Sequence, residues 1–222
     1  MKTIAKIRND FKEKFGIPRQ SGLTSGLTAR IVFEPEYRNP DALRGIEGYS
    51  HLWLIWSFSR VDTTGGWSPT VRPPRLGGNK KMGVFATRSP YRPNPIGLSS
   101  VKLMGVEHTE KEGDVLLVEG ADLLDGTPIY DIKPYLAFTD SHPDAVCGFA
   151  DEVKEYSLGV DFPKELISAI PEEKRNGLIS ILENDPRPSY QDDSERIYGM
   201  SFSGFEIKFK VSDGVLTVTS VE

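Results

Sequence analysis

Residues 49–58, YSHLWLIWSF, form an apolar and aromatic run with no polar stripe. An amphipathic surface helix shows such a stripe at helical spacing, whereas a strand covered on both faces needs none. The run is therefore expected to be a strand buried on both faces, and it commits the chain to surrounding that strand with others. Candidates follow from short alternating, β-branched segments at residues 3–7, 27–33, 83–87, 98–106, 115–119 and 129–136, separated by Gly, Pro and Asp. No helix of βαβ length lies between them. The pattern predicts a mainly β fold, an antiparallel barrel or sandwich.

A second unit is expected beyond a boundary between Pro143 and Pro163, where the chain turns polar and acidic. Residues 163–170 and 171–183 read as helices, each opened by proline and early glutamates. Residues 185–190, DPRPSY, read as a stiff extended turn, since proline fixes φ and removes a donor. Residues 205–218 read as a hairpin around Ser212-Asp213-Gly214. The expected division is a barrel over 1–145 and a small C-terminal α+β domain over 160–222.

At 38% hydrophobic residues the chain can fill such cores. No apolar run approaches the ~20 residues that span a bilayer, and residues 1–10 lack the apolar centre of a secretory signal. A single cysteine, Cys147, excludes an internal disulfide and suits a reducing, cytoplasmic setting.

The net charge of −5 conceals an asymmetry. Residues 63–106 contain no Asp or Glu but hold Arg72, Arg75, Lys80, Lys81, Arg88, Arg92 and Lys102. Residues 140–197 carry fourteen acids against six Lys or Arg. The one-signed stretch is either an anion-binding face or an ordinary solvated loop.

Some chemistry is excluded. His51, His108 and His142 are too far apart for a local metal pair and there is no second cysteine, so no metal is expected. No phosphate-loop or nucleophile-elbow motif occurs. No two glycines are separated by a single residue, so the dinucleotide fingerprint cannot occur and a Rossmann architecture is disfavoured.

Four segments carry chemical potential. In residues 83–98, GVFATRSPYRPNPIGL, Pro90, Pro93 and Pro95 stiffen the loop in advance, which lowers the entropy cost of binding. Arg88 and Arg92 offer planar donors to carboxylate or phosphate, and Asn94 adds an amide. Residues 122–135, DLLDGTPIYDIKPY, place Asp131, Lys133 and Tyr135 on one strand face by the period of two, as acid–base groups or as the polar face of an edge strand. Residues 12–20, KEKFGIPRQ, form a basic loop closed by Pro18-Arg19-Gln20. Residues 67–79, WSPTVRPPRLGGN, mix Trp67 with Arg72 and Arg75, a composition that suits stacked bases and paired phosphates or a plain insertion.

In this order the segments resemble the family of tRNA N6-threonylcarbamoyladenosine methyltransferases, S-adenosyl-L-methionine-dependent enzymes built on a β-barrel. The resemblance runs through KEKFGIPRQ, GIEGYSHLWLIW, GGWSPTVRPPRLGGN, MGVFATRSPYRPNPIGLS, LLDGTPIYDIKPYL and DPRPSY. It implies methylation of N6 of threonylcarbamoyladenosine 37 in threonine tRNA, forming m6t6A, by a homodimer without a metal. Carried over, the cofactor site comprises Pro18, Arg19, Gln20, Ser59, Arg60, Arg88, Leu98 and the turn Asp122, Leu123, Leu124, Asp125. Ser59-Arg60 departs from a His-Gln type pair in relatives. The implied chemistry is in-line transfer governed by positioning. Asp131 or Tyr135 is the candidate proton acceptor and Lys133 a charge stabiliser. Arg92, Asn94, Arg72 and Arg75 are the candidate tRNA contacts. The competing expectation is a non-catalytic RNA-binding barrel; a carboxylate hydrolase is disfavoured by the positive surroundings.

Overall fold

The computed structural model describes residues 1–62, 65–73, 76, 80–153, 156–187 and 193–222. Its first part runs through β1 (Ala5–Arg8), β2 (Thr28–Phe33), β3 (His51–Ser57), β4 (Thr70–Val71), β5 (Met82–Gly83), β6 (Ile96–Thr109), β7 (Gly113–Glu119), β8 (Pro128–Pro134) and the short α1 (Ala137–Asp140). Six of these strands form a closed barrel in the order β1-β2-β7-β6-β3-β8, every pair antiparallel. Alternation supplies the interior. Ala5, Ile7, Ala29, Ile31, Leu52, Leu54, Val101, Leu116, Val118 and Ile129 point inward and are buried together.

The aromatic strand corrects one expectation. In β3 only Leu52, Leu54 and Trp56 are buried, while Trp53, Ile55 and Ser57 are partly exposed and His51 is open. A small closed barrel has a single interior, so the other face of β3 needs a different cover, and here it forms the floor of a cleft. A second correction concerns residues 83–87, expected as a strand. Beyond β5 the chain makes a 3-10 turn, Val84–Ala86, that buries Val84. Thr87 Oγ1 donates to the Val84 carbonyl at 2.9 Å, which closes the turn.

The second part contains β9 (Gly159–Asp161), α2 (Lys164–Ile167), α3 (Glu172–Glu183), β10 (Tyr198–Phe202), β11 (Phe205–Ser212) and β12 (Val215–Val221). Its sheet has the order β10-β11-β12-β9, with β9 parallel to β12. Pro163 and Pro171 are the cap residues just before α2 and α3, and α2 is shorter than its sequence pattern. The hairpin turns on Asp213 (φ 51°) and Gly214 (φ 76°), the left-handed pair that a type I′ turn requires.

The second core gathers Ile170, Leu178, Leu182, Phe202, Ile207, Phe209 and Leu216, and it also takes Phe11 and Leu27. The stretch after β1 is therefore packed into the C-terminal core, and Lys174 of α3 pairs with Asp10 beside it. This stretch carries residues 12–20 between the two cores.

Candidate active site

A cleft of about 1170 Å³ opens where the outer face of β3 and β6 meets three loops. Cross-strand pairing sets its floor. Trp53 stands opposite Ser100, and Ile55 opposite Leu98, so Trp53, Ser100 and Leu98 share the outward face. Leu98 is 57% exposed, unusual for an apolar residue in mid-sheet, and it lines the cleft. Gly97 is required next to it: a Cβ there would lie 2.2 Å from the Trp56 ring.

Trp56 begins a buried polar chain. Its indole N–H donates to Ser99 Oγ at 2.9 Å, and Ser99 donates to Asp122 Oδ1 at 2.5 Å. Ser99 is 1% exposed, and these two bonds satisfy a hydroxyl that would otherwise be costly to bury. Burial raises the Asp122 carboxyl above the ordinary value, against the opposing pull of Ser99, backbone N–H groups and Arg88. Asp122 is thus a half-buried carboxylate at the wall of an open cleft.

The turn that carries it alternates sides. Asp122 and Leu124 line the cleft, Leu123 lies wholly in the barrel core, and Asp125 faces away from the cleft. Asp125 accepts from the backbone N–H of Asn9 at 3.1 Å and from Lys12 Nζ at 2.7 Å, which pins the start of the basic loop. That loop returns Pro18, Arg19 and Gln20 to the cleft. Arg19 donates to the carbonyls of Asp185 (3.1 Å) and Arg187 (2.7 Å) in the second domain, and Gln20 accepts from Arg88. Ser59 and Arg60 line the cleft at the end of β3, and Lys14 donates to the Arg60 carbonyl at 2.9 Å.

The proline-rich loop forms the opposite wall with Arg88, Pro90, Arg92 and Asn94. Arg92 donates to the carbonyls of Thr87 (3.2 Å) and Ser89 (3.3 Å), so its guanidinium also braces its own loop. The Phe58 N–H donates to the Pro95 carbonyl at 2.9 Å and stitches the loop to the end of β3.

Asp131 and Lys133 share the outward face of β8, opposite Ile55 and Trp53, and Tyr135 follows just past its end; only Tyr135 reaches the cleft. Asp131 and Lys133 pair with each other at 3.2 Å on the exposed flank. The Tyr135 ring sits 5.5 Å from Trp53 and 6.1 Å from His51. Asp140 ties this corner together, accepting from the Trp53 indole (2.8 Å) and the Leu136 N–H (3.0 Å). Those two bonds, with His142 nearby, lower its carboxyl despite some burial. Arg72 is exposed after β4 and does not line the cleft, and Arg75 lies outside the described residues.

Sequence reading missed Trp53, Trp56, Ser99, Asp140 and Lys14. Ser99 left a trace, a hydroxyl at an inward position of β6 between Gly97 and Val101. Trp53 and Asp140 meet across 87 positions and left none.

Charge gives the cleft its character. Lys14, Arg19, Arg60, Arg88 and Arg92 line it, against two carboxylates among the described residues, Asp122 and Asp140. One of those carboxylates is held by Trp53 and Leu136, the other by Ser99. An anionic partner with a cationic or hydroxyl-bearing group for Asp122 suits such a site.

The comparisons with known proteins agree over the whole chain. The sequence model for the tRNA-methyltransferase O N-terminal domain matches residues 6–141, and that for the TrmO C-terminal domain matches residues 155–222. An Escherichia coli protein named tRNA (adenine(37)-N6)-methyltransferase is 41% identical, covering 99% of this chain and 96% of its own length. An Eikenella corrodens protein of the same name is 49% identical over 78% of this chain and 97% of its own length. A crystal structure of TrmO superposes with a TM-score of 0.79 at 31% identity, covering 99% of this chain and 96% of that one. A Pseudomonas aeruginosa TrmO structure gives 0.77 at 30% identity, with 99% and 97% covered. The chain belongs to the tRNA-methyltransferase O family.

Proposed function

We infer that this chain is an S-adenosyl-L-methionine-dependent tRNA (adenine-N6)-methyltransferase acting at position 37, and that its substrate nucleoside is threonylcarbamoyladenosine of threonine tRNA. The observation that carries the reading is the cleft itself: five cations around a half-buried carboxylate, in a family member related along its full length to proteins of that name.

The residues present fit the cofactor. A cleft of about 1170 Å³ accommodates a molecule of that size together with a nucleoside, since small-molecule sites span roughly 300–1000 Å³. Asp122 offers an acceptor for an ammonium or hydroxyl, Arg60 and Arg88 donors for a carboxylate, and Leu98, Leu124, Trp56 and Phe58 apolar surface for a purine. Pro18, Arg19, Gln20 and Ser59 complete that wall. Leu123 and Asp125 serve by fixing the turn from behind. When bound, the cofactor supplies an electrophilic methyl group.

The protein then has two tasks: to orient N6 and to take its proton. Arg92 and Asn94 stand at the cleft to orient the base or its threonyl carboxylate, with Arg72 and Arg75 farther out on the tRNA path. The carbamoyl group makes N6 amide-like and weakly nucleophilic, so its proton must leave before or during transfer. Of the three acid–base candidates on and just past β8, Tyr135 is the one at the cleft and takes the proton role within one subunit. Asp131 and Lys133 form an ion pair outside it. Replacing Tyr135 by Phe should slow single-turnover transfer about 100-fold, the lower end for acid–base catalysis, while Asp131→Asn stays within about threefold of the parent. The reverse order would return the role to Asp131.

A homodimer acting in the cytoplasm completes the reading. The exposed apolar residues Phe138 and Val146 provide surface for a second copy. The deciding experiment incubates the protein and S-adenosylmethionine with unmodified and threonylcarbamoylated threonine tRNA, and maps methyl groups by mass spectrometry. Methylation at N6 of residue 37 only in the carbamoylated tRNA is expected. Methylation of neither RNA, with no saturable heat on cofactor titration, would return the chain to a non-catalytic RNA-binding barrel.

A further inference from the structure

Beside the main cleft lies a smaller slot of about 310 Å³, lined by Asp62, Trp67, Tyr91, Arg92 and Pro93 among others. Val61, Tyr91 and Arg92 line both cavities, so the slot and the cleft are neighbours at the proline-rich loop. Trp67 and Tyr91 are 52% and 58% exposed, and neither belongs to a hydrophobic core. Phe85, 71% exposed, backs Trp67 with ring centroids 5.9 Å apart and planes 32° apart. Three large aromatic side chains left open to solvent together are unfavourable unless something covers them.

Charge narrows the occupant. The slot sits within the acid-free stretch 63–106, apart from Asp62 at its edge. Among the described residues that line the slot, Arg92 is the one cation for a phosphate, and its guanidinium already serves carbonyls of its own loop. A nucleobase is neutral, stacks on an aromatic face, and can offer an exocyclic amino group to a carboxylate. Its volume also matches: about 310 Å³ is at the small end of ligand sites, enough for one base and its sugar.

We propose that this slot receives a nucleobase of the RNA adjacent in the strand to the adenosine being modified, stacked on Trp67 and flanked by Tyr91. The proposal rests on the tRNA reading above and deepens it by naming where a neighbouring nucleotide goes. Unstacking the target adenosine from its neighbours has a cost, least in a loop, and a stacking surface next to the cleft offsets it by replacing a lost base partner. Arg92, bonded to Thr87 and Ser89, holds the wall between the two cavities in place.

The test is a binding titration of an anticodon stem-loop RNA of threonine tRNA against the full chain, Trp67→Ala and Trp67→Phe, with cofactor affinity and oligomeric state measured in parallel. Trp67→Ala should weaken RNA binding about tenfold and raise the KM for tRNA similarly. Trp67→Phe should recover most of that loss, with cofactor affinity unchanged. Because stacking neutralises no phosphate, the slope of log affinity against log salt should be the same in all three. A stem-loop with abasic sites flanking the target should lose the same factor on the parent protein and nothing further on Trp67→Ala. Equal RNA affinity of Trp67→Ala and the parent overturns the slot, as does a changed oligomeric state with RNA binding intact. A salt slope reduced by about one overturns it in favour of phosphate binding. Normal methylation by the parent with an indifferent Trp67→Ala removes the slot alone, whereas absent methylation with a stacking-dependent affinity removes the enzymatic reading alone.

Discussion

Asp122 and Asp185 are both carboxylates withdrawn from water, and the protein shifts them in opposite directions. At Asp122 burial dominates and raises the carboxyl; its partners are neutral, the Ser99 hydroxyl and backbone N–H groups, with Arg88 at a distance. At Asp185 burial acts in the same sense, yet it is outweighed by Arg187, which reaches both carboxylate oxygens at 2.8 and 2.9 Å, and by the Tyr156 hydroxyl at 2.8 Å, so the carboxyl is lowered. Asp185 is fully matched. Asp122 has no ion-pair partner among the described residues and stands at the wall of a cleft. A carboxylate matched by a cation marks a structural group, and one held by neutral donors beside a cavity marks one that can still take a ligand's cation.

Removing the match at Asp185 should have the largest effect. Arg187→Met keeps much of the side chain's bulk but strands a buried carboxylate, and breaking a buried pair by removing one partner typically costs about 3–5 kcal/mol. The loss should appear as a lower urea midpoint. It should also reach the cleft, because Arg19 donates to the carbonyls of Asp185 and Arg187 and lines the cleft. A midpoint within 1 M urea-scale noise of the parent would equate the two carboxylates and dissolve the distinction.

The corresponding change at Asp122 should separate stability from binding. Asp122→Asn preserves an acceptor for Ser99 but removes the charge. A hydrogen bond to a charged group contributes about 1.5–3 kcal/mol, so cofactor affinity should fall tenfold or more by calorimetry. The melting temperature should not fall. A variant that binds cofactor normally would show that Asp122 serves the turn and not the ligand.

How much of this was legible in the sequence depended on the range of the interaction. Strands such as β2 and β7 were visible because alternation is local. The proline-rich loop delivered Arg88, Arg92 and Asn94 to one wall because its three prolines act on neighbouring residues. The period of two correctly put Asp131 and Lys133 on one face of β8, with Tyr135 just past its end, but it could not say how far the cleft extends along that face. Whether Asp122 or Asp125 faced the cleft was likewise hidden, since that choice depends on Asn9 and Lys12 more than a hundred positions away. The aromatic run was read as doubly covered because hydropathy does not distinguish a protein neighbour from a ligand-binding cleft. Residues 188–190 of the DPRPSY turn lie outside the described residues.

A smaller change tests whether the raised carboxyl depends on the packing behind it. Gly97→Ala places a methyl group 2.2 Å from the Trp56 ring, and overpacking of this kind costs about 1–3 kcal/mol. If Trp56 moves, the chain through Ser99 to Asp122 moves with it, so cofactor affinity should weaken along with stability. Loss of stability alone would mean that Asp122 is held by its own turn.

The smallest effect gives the cleanest separation of the two carboxylates, because it depends on sign. An unfolded Asp titrates near about 3.9. The native Asp122 value lies above that, so between the two values the folded state binds more protons and stability falls as pH rises. Asp122→Asn lacks this penalty: the variant should gain on the parent as pH rises from about 4, and the gain should level off above the native value. For Asp185 the native value lies below the unfolded one. Its contribution is complete above about pH 4 and is lost as pH falls through the native value, so the deficit of Asp185→Asn should shrink on acidification. Urea midpoints from pH 3 to 7 for the parent and both variants test this directly, and a difference of the same sign for both carboxylates would mean that a ligand-ready and a structural aspartate cannot be told apart by their partners.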